Sequence, residues 1–139
     1  MTAFLWAILC ACIWGVVPIM EKAGLGDKVD PFVGLFYRSL GVVIGIILLK
    51  LFVVKTEALK AVDAKSIILL VLSGLLASFI AQIAFYHALK IGEVSKVVPI
   101  AGTYYLITFV IGIVFMGEAV TATKVIAMGM IVAGAWLLR

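Results

Sequence analysis

Apolar residues run along this chain in blocks about as long as a bilayer is thick, and short polar clusters separate the blocks. Five blocks stand out, near Ala3–Met20, Phe32–Leu49, Ser66–Tyr86, Val97–Met116 and Val120–Leu138. A helical residue rises about 1.5 Å, so crossing a hydrocarbon core of about 30 Å takes about 20 mainly apolar residues. The pattern therefore predicts an all-α membrane protein, a bundle of five transmembrane helices forming a single domain over residues 1–139. An odd number of crossings puts the two termini on opposite faces of the membrane. A second copy joined or paired symmetrically then tends to be inverted.

The connections are short. Glu21–Pro31 is a polar turn containing Gly24, Gly26 and Pro31; Leu89–Lys96 is another, and Gly117–Ala119 is tighter still. Short loops make consecutive helices spatial neighbours. Lys55–Lys65 (KTEALKAVDAK) reads as a short amphipathic surface helix or a solvated linker. Small residues recur four apart at Gly41 and Gly45, Gly74 and Ser78, and Ala77 and Ala81. Such pairs let helix backbones approach closely in lipid, where apolar burial provides no drive, so tight packing of the second and third spans is expected.

Composition agrees with the pattern. The chain is 66% hydrophobic and 13% charged, with a mean hydropathy of +1.34, against about 25% charged residues in soluble domains. The first block lacks a basic leader and a clear cleavage site before Glu21 and Lys22, so it reads as a span and not as a cleaved signal. The net charge of +4 is spread over every loop. Interfacial lysines whose stems snorkel explain it better than nucleic acid does, and no nucleic-acid partner is expected.

The positive-inside rule weighs Lys and Arg near span ends. Lys50, Lys55, Lys60, Lys65 and Lys124 lie towards one face, and Lys22, Lys28, Lys90, Lys96 and Arg139 towards the other. The tie leaves two explanations open. Either the four-lysine loop alone sets one orientation, or both orientations insert and pair as an antiparallel dimer.

Few residues carry visible chemistry. Arg38 lies about two turns inside the second span, where a charge is costly unless it meets a cavity, a partner or the interface. It reads either as an anion-binding or gating cation, or as an Arg bonding carbonyls near a helix end. His87 closes the third span and reads as interfacial, although an imidazole there can accept a proton near neutral pH. Glu118 is expected at the surface. Trp14, Gln82, Tyr104, Tyr105 and Thr108 are polar or aromatic residues within spans. The aromatics can stack on an organic molecule and Gln82 can hydrogen-bond it; helix packing and an aromatic belt are the alternatives. Pro18 and Pro99 are expected to break their helices, leaving carbonyls for a neighbour or ligand. Cys10 and Cys12, two apart on a helix, face away from each other and cannot bridge, so they read as small packing residues. No spacing suggests a metal site, a Ser/His/Asp arrangement or a phosphate-cradling loop. No enzyme activity, metal or cofactor is expected.

These residues carry a resemblance over nearly the whole chain. Trp14-Gly15 with Lys22, Asp30-Pro31 followed by Arg38, Tyr86-His87-Ala88-Leu89-Lys90, Gly117-Glu118 and the closing run Gly129 through Leu138 occur in order. Together they resemble a single EamA-type domain of the drug/metabolite transporter superfamily. The resemblance implies a carrier of small organic molecules that works by alternating access. Longer members hold two inverted five-helix units with the substrate between them near the midplane. This chain resembles the half-size form, one unit of an inverted-repeat transporter. By that analogy the first four spans line the path and the fifth supports dimerisation. The fourth span departs from the family pattern: many two-unit members have a proline near Tyr104, whereas here Pro99 comes earlier and Gly102-Thr103-Tyr104 follows.

The small multidrug-resistance proteins resemble the chain in size and composition, and use a membrane-buried glutamate in their first span. Here Ala3–Met20 has no carboxylate, and Glu21 at its end is expected to face water. Proton-driven export of cationic drugs is accordingly disfavoured.

The reading that follows is a transporter subunit for a small organic metabolite or amphiphile, working as a homodimer in the lipid bilayer of a prokaryotic cytoplasmic (inner) membrane. Trp14, Arg38, Gln82, Tyr104 and Tyr105 are its expected substrate-binding residues, and Pro18 and Pro99 its helix-breaking or gating positions. A flippase for a lipid-linked carrier and a non-transporting membrane subunit are the alternatives.

Overall fold

Helix formation follows the apolar blocks, and the caps show where each helix starts and stops. A computed structural model describes residues 2–138. Helix α1 is Ala3–Leu25 and runs beyond the apolar block's end at Met20. It stops at Gly26, whose φ of +45° suits glycine and whose N–H bonds back to Lys22 O at 3.1 Å. Helix α2, Pro31–Phe52, begins with Pro31 in the first turn and Asp30 as N-cap, its carboxylate accepting from Phe32 N at 2.8 Å. Helix α3 is the single turn Thr56–Lys60, shorter than the surface helix expected over Lys55–Lys65.

The third span is one continuous helical stretch, Ala64–Ile91. Asp63 caps it, accepting from Ser66 N at 3.0 Å and Ser66 Oγ at 2.7 Å. Those two bonds, the side-chain one foremost, hold the Asp63 carboxyl below its ordinary value of 3.8. The stretch is interrupted in the middle: α4 (Ala64–Leu75) leads into a π-helical turn, Leu76–Ile80, and then α5 (Ala81–Ile91). Nothing in the run Leu-Ala-Ser-Phe-Ile announces that turn. It re-aims everything after it, including Gln82 and Tyr86.

The fourth span, Val94–Met116, is broken at Gly102–Thr103 into α6 (Val94–Ala101) and α7 (Tyr104–Met116). Pro99 lies inside α6 just before the break. Pro18, by contrast, does not break α1, which continues through it; a proline deletes one N–H, and the bonds on either side hold the helix together. After Gly117 in the left-handed region (φ +68°), α8 spans Ala122–Leu137, with Thr121 Oγ1 accepting from Lys124 N at 3.3 Å.

Among the described residues, four stretches are long and apolar enough to cross a membrane: Ala3–Leu25, Pro31–Phe52, Ala64–Ile91 and Val94–Met116. The fifth apolar helix, α8, has 16 residues and rises about 24 Å, so a full crossing needs some thinning of the bilayer or its flanking residues. The architecture is an all-helical membrane bundle.

The chain divides into two compact units, Met1–Lys90 and Ile91–Arg139. Within the first, α1 lies against α2, and the buried side chains Leu25, Leu35, Tyr86 and Leu89 gather where α1 and α5 end and α2 begins. Gly34 makes the closest approach: a Cβ there would meet Leu25 Cδ2 at 2.5 Å and Tyr86 Cε2 at 3.2 Å. The small-residue positions Gly41, Gly45 and Gly74 instead face open space, with nothing within 4 Å of a Cβ. The expected tight packing of the second and third spans therefore occurs at Gly34 and not along those pairs. Cys10 and Cys12 are exposed and free, not packing residues within the chain.

In the second unit α6 packs against α8. Gly112 is buried under the Glu118 side chain, which an added Cβ would meet at 3.4 Å, and Glu118 Oε2 pairs with Lys124 Nζ at 3.2 Å. Glu118 is exposed, as expected. Most large apolar side chains of both units are exposed, Phe115 and Phe52 by about four-fifths. Such a surface needs lipid or another copy against it.

Candidate functional site

The polar residues of the first unit converge on one oxygen. Glu21 lies in the last turns of α1, and its Oε1 accepts from Arg38 Nε of α2 at 3.0 Å. The same oxygen accepts from Gln82 Nε2 at 3.0 Å and from Tyr86 OH at 3.1 Å, both on α5. Gln82 and Tyr86 are one helical turn apart and share a face, and the π turn before Ala81 fixes which way that face looks. Three helices thus meet at one carboxylate.

Burial makes the arrangement costly to leave incomplete. The Glu21 side chain is only 9% exposed, that of Arg38 31%. Taking a carboxylate out of water costs several kcal/mol, roughly, unless donors replace its hydration shell. Here three donors do so, one of them a cation, and charge-assisted bonds of this kind are the strong ones. A lone Arg in the second span would carry a similar cost; Glu21 removes it.

Two lysines lock the surrounding helix ends. Lys22 Nζ of α1 donates to the Leu89 carbonyl in the last turn of α5. In return Lys90 Nζ of α5 donates to Gly26 O at the end of α1 at 3.0 Å. Each cation therefore meets the negative end of the other helix's dipole. Beside them the exposed His87 ring stands edge-on to Phe32, centroids 5.7 Å apart at 77°.

Next to the cluster is an open hollow of about 400 Å³, near the lower end of ligand-pocket volumes. Glu21, Arg38, Tyr37 and Tyr86 supply its polar groups, and Met20, Leu25, Val29 and Val33 most of its apolar wall, with Gly24 and Gly34 between them.

The chain matches the model of the EamA-like transporter family over residues 1–139. It belongs to that family. A protein of Sinorhizobium sp named an uncharacterized transporter in the cobO 3' region is 25% identical over 133 residues, covering 96% of this chain and 93% of that one. No solved structure matches. Family membership makes the chain a membrane transporter protein.

In this EamA-like protein the structure brings together Arg38 and Gln82 of the expected site residues, both on Glu21. Trp14 is apart from them, 61% exposed along α1, where it lines a shallow surface groove with Trp6, Leu9, Cys10 and Ile13. Tyr104 and Tyr105 belong to the second unit, where their rings tilt against each other at 4.3 Å right after the helix break. Thr108 bonds its own helix, donating to Tyr104 O at 3.3 Å. The expectation that Glu21 faces water is overturned. α1 continues to Leu25, so the carboxylate lies within the helix and turns onto α2 and α5. Tyr86, noted only as part of a motif, joins it. One signal was available for both: a carboxylate at the end of one span, an arginine early in the next and a Gln-x-x-x-Tyr face on the third are mutually compatible partners.

Proposed function

We propose that this chain is one half of a transporter that moves a small organic metabolite or amphiphile by alternating access, working as an antiparallel homodimer in a prokaryotic inner membrane. The observation that carries the reading is the Glu21-centred cluster. It joins α1, α2 and α5 at one end of the first unit, beside a hollow lined by both members of the Glu21–Arg38 ion pair. Ionised residues this little exposed in an apolar chain cost stability, and substrate handling gives them a role that packing alone does not require. Exposed apolar faces along α1 and α2, the open glycines at Gly41 and Gly45, and the even division of Lys and Arg between the two faces support pairing with an inverted second copy.

The test is electrical or radiometric uptake by purified protein in proteoliposomes, screened across classes of organic acids, amines and neutral metabolites. We expect at least one class to be transported by the wild type, and Arg38→Gln and Gln82→Ala to reduce that transport at least tenfold. Transport that survives both substitutions unchanged would remove the cluster from the site. A folded protein that moves no class would contradict the transporter reading.

A further inference from the structure

The charge that the hollow offers a ligand is positive. Glu21 and Arg38 both line it, so a cationic and an anionic ligand compete as readings, and the hydrogen bonds decide between them. Glu21 is 9% exposed and its Oε1 already holds three donors. Arg38 is more than three times as exposed, at 31%, and spends only Nε on Glu21. Among the described residues its Nη1 and Nη2 make no hydrogen bond, and no buried side-chain nitrogen or oxygen lacks a partner, so that edge lies where solvent or a ligand reaches it. The Nη edge of a guanidinium is the planar fork that matches the two oxygens of a carboxylate or phosphate. Around it stand Met20, Leu25, Val29 and Val33, a wall suited to an apolar body.

We propose that the hollow binds an amphiphilic monoanion, its carboxylate or phosphate on the Arg38 fork and its apolar body on that wall, with Glu21 as the internal counter-ion that holds Arg38 by Nε and tempers its affinity. This rests on the transporter reading in one respect only, that the hollow serves a transported molecule; the binding chemistry stands without it. An anionic lipid headgroup and a free metabolite share the chemistry.

Three probes with one tail and different heads test the proposal: phenylbutyrate, phenylbutylamine and phenylbutanol, titrated calorimetrically into the full chain in nanodiscs of zwitterionic lipid. Phenylbutyrate is expected to bind at least tenfold more tightly than the amine or the alcohol. Inorganic phosphate, having the charge without the tail, is expected to bind at least tenfold more weakly than phenylbutyrate. Arg38→Gln should remove the preference for the acid. Arg38→Lys, which keeps the charge and loses the fork, should weaken it several-fold. Glu21→Gln keeps an acceptor for Arg38 and drops the competing charge, so it should tighten phenylbutyrate several-fold, and it decides the matter should the Arg38 variants not fold. Repeating the titration with phosphatidylglycerol in the nanodisc separates the sources: lost apparent affinity assigns the site to lipid headgroups, unchanged affinity to free anions. Equal or tighter binding of the amine, or a Glu21→Gln variant no better than wild type, would overturn the proposal. The outcomes remain separate from the transport test: acid binding without any transport contradicts the transporter reading alone, and transport of another class without acid binding contradicts this inference alone.

Discussion

Glu21 holds three side chains with one oxygen, so its loss is felt in three places. Glu21→Ala leaves Arg38 without its counter-ion and Gln82 and Tyr86 without an acceptor. Breaking a fully buried pair costs roughly 3–5 kcal/mol. Arg38 is 31% exposed and water can reach it, so a loss of about 2 kcal/mol is expected, read as a lowered midpoint of thermal unfolding in detergent. Glu21→Gln should lose about half as much, because an acceptor oxygen remains. Equal midpoints for both variants and the wild type would contradict the geometry. Arg38 and Gln82 were legible in the sequence because a polar residue inside an apolar run has to find a partner. Glu21 was legible as a compatible partner but not as a buried one: the apolar run ends at Met20, whereas the helix continues to Leu25, with Gly26 and the two crossed lysines at its end. Gly26 is a local stop, but the Lys90 bond to its carbonyl is a tertiary contact from 64 residues away.

The helices differ in how much of their behaviour the pattern could foretell. Their existence was readable from length and hydropathy, and the start of α2 from Asp30-Pro31. The π turn at Leu76–Ile80 and the break at Gly102–Thr103 were not, since the first has no breaker residue and the second follows its proline by three positions. Glycines show the same division. Gly34→Ala places a Cβ against Leu25 and the Tyr86 ring; overpacking of this kind costs about 1–3 kcal/mol, towards the low end if Leu25 changes rotamer. Gly41→Ala meets nothing, and should be neutral or gain up to about 1 kcal/mol from helix propensity in the monomer. Unfolding midpoints of the two variants should therefore move in opposite directions or differ by several degrees. Asp63 yields a prediction in pH. Its carboxyl is depressed in the fold, so its capping contribution is complete above the ordinary value of 3.8 and disappears as pH falls through the lower folded value. Hydrogen exchange at the Ser66 amide should quicken in that acid range. Asp63→Asn, still a capping residue, should abolish the pH dependence.

At the scale of the whole molecule the surface outweighs the core. Among the described residues, the buried Leu25, Leu35, Tyr86 and Leu89 cluster at one end of the first unit, and most of the large apolar side chains are exposed. The tie in Lys and Arg and the exposed glycine faces make an inverted partner the proposed cover for part of that surface. With Cys10→Ala and Cys12→Ala in place, a cysteine introduced as Leu138→Cys should label with an impermeant maleimide to about half from each face of the membrane, whereas a single orientation gives all or nothing. The most direct test of the central claim, that the pair is the unit of function and the Glu21 cluster its site, is uptake by proteoliposomes holding wild type and folded Glu21→Ala chains in varied ratio. If each transporter needs two intact clusters, activity should fall as the square of the wild-type fraction. A fall in simple proportion to that fraction, or none at all, would contradict it.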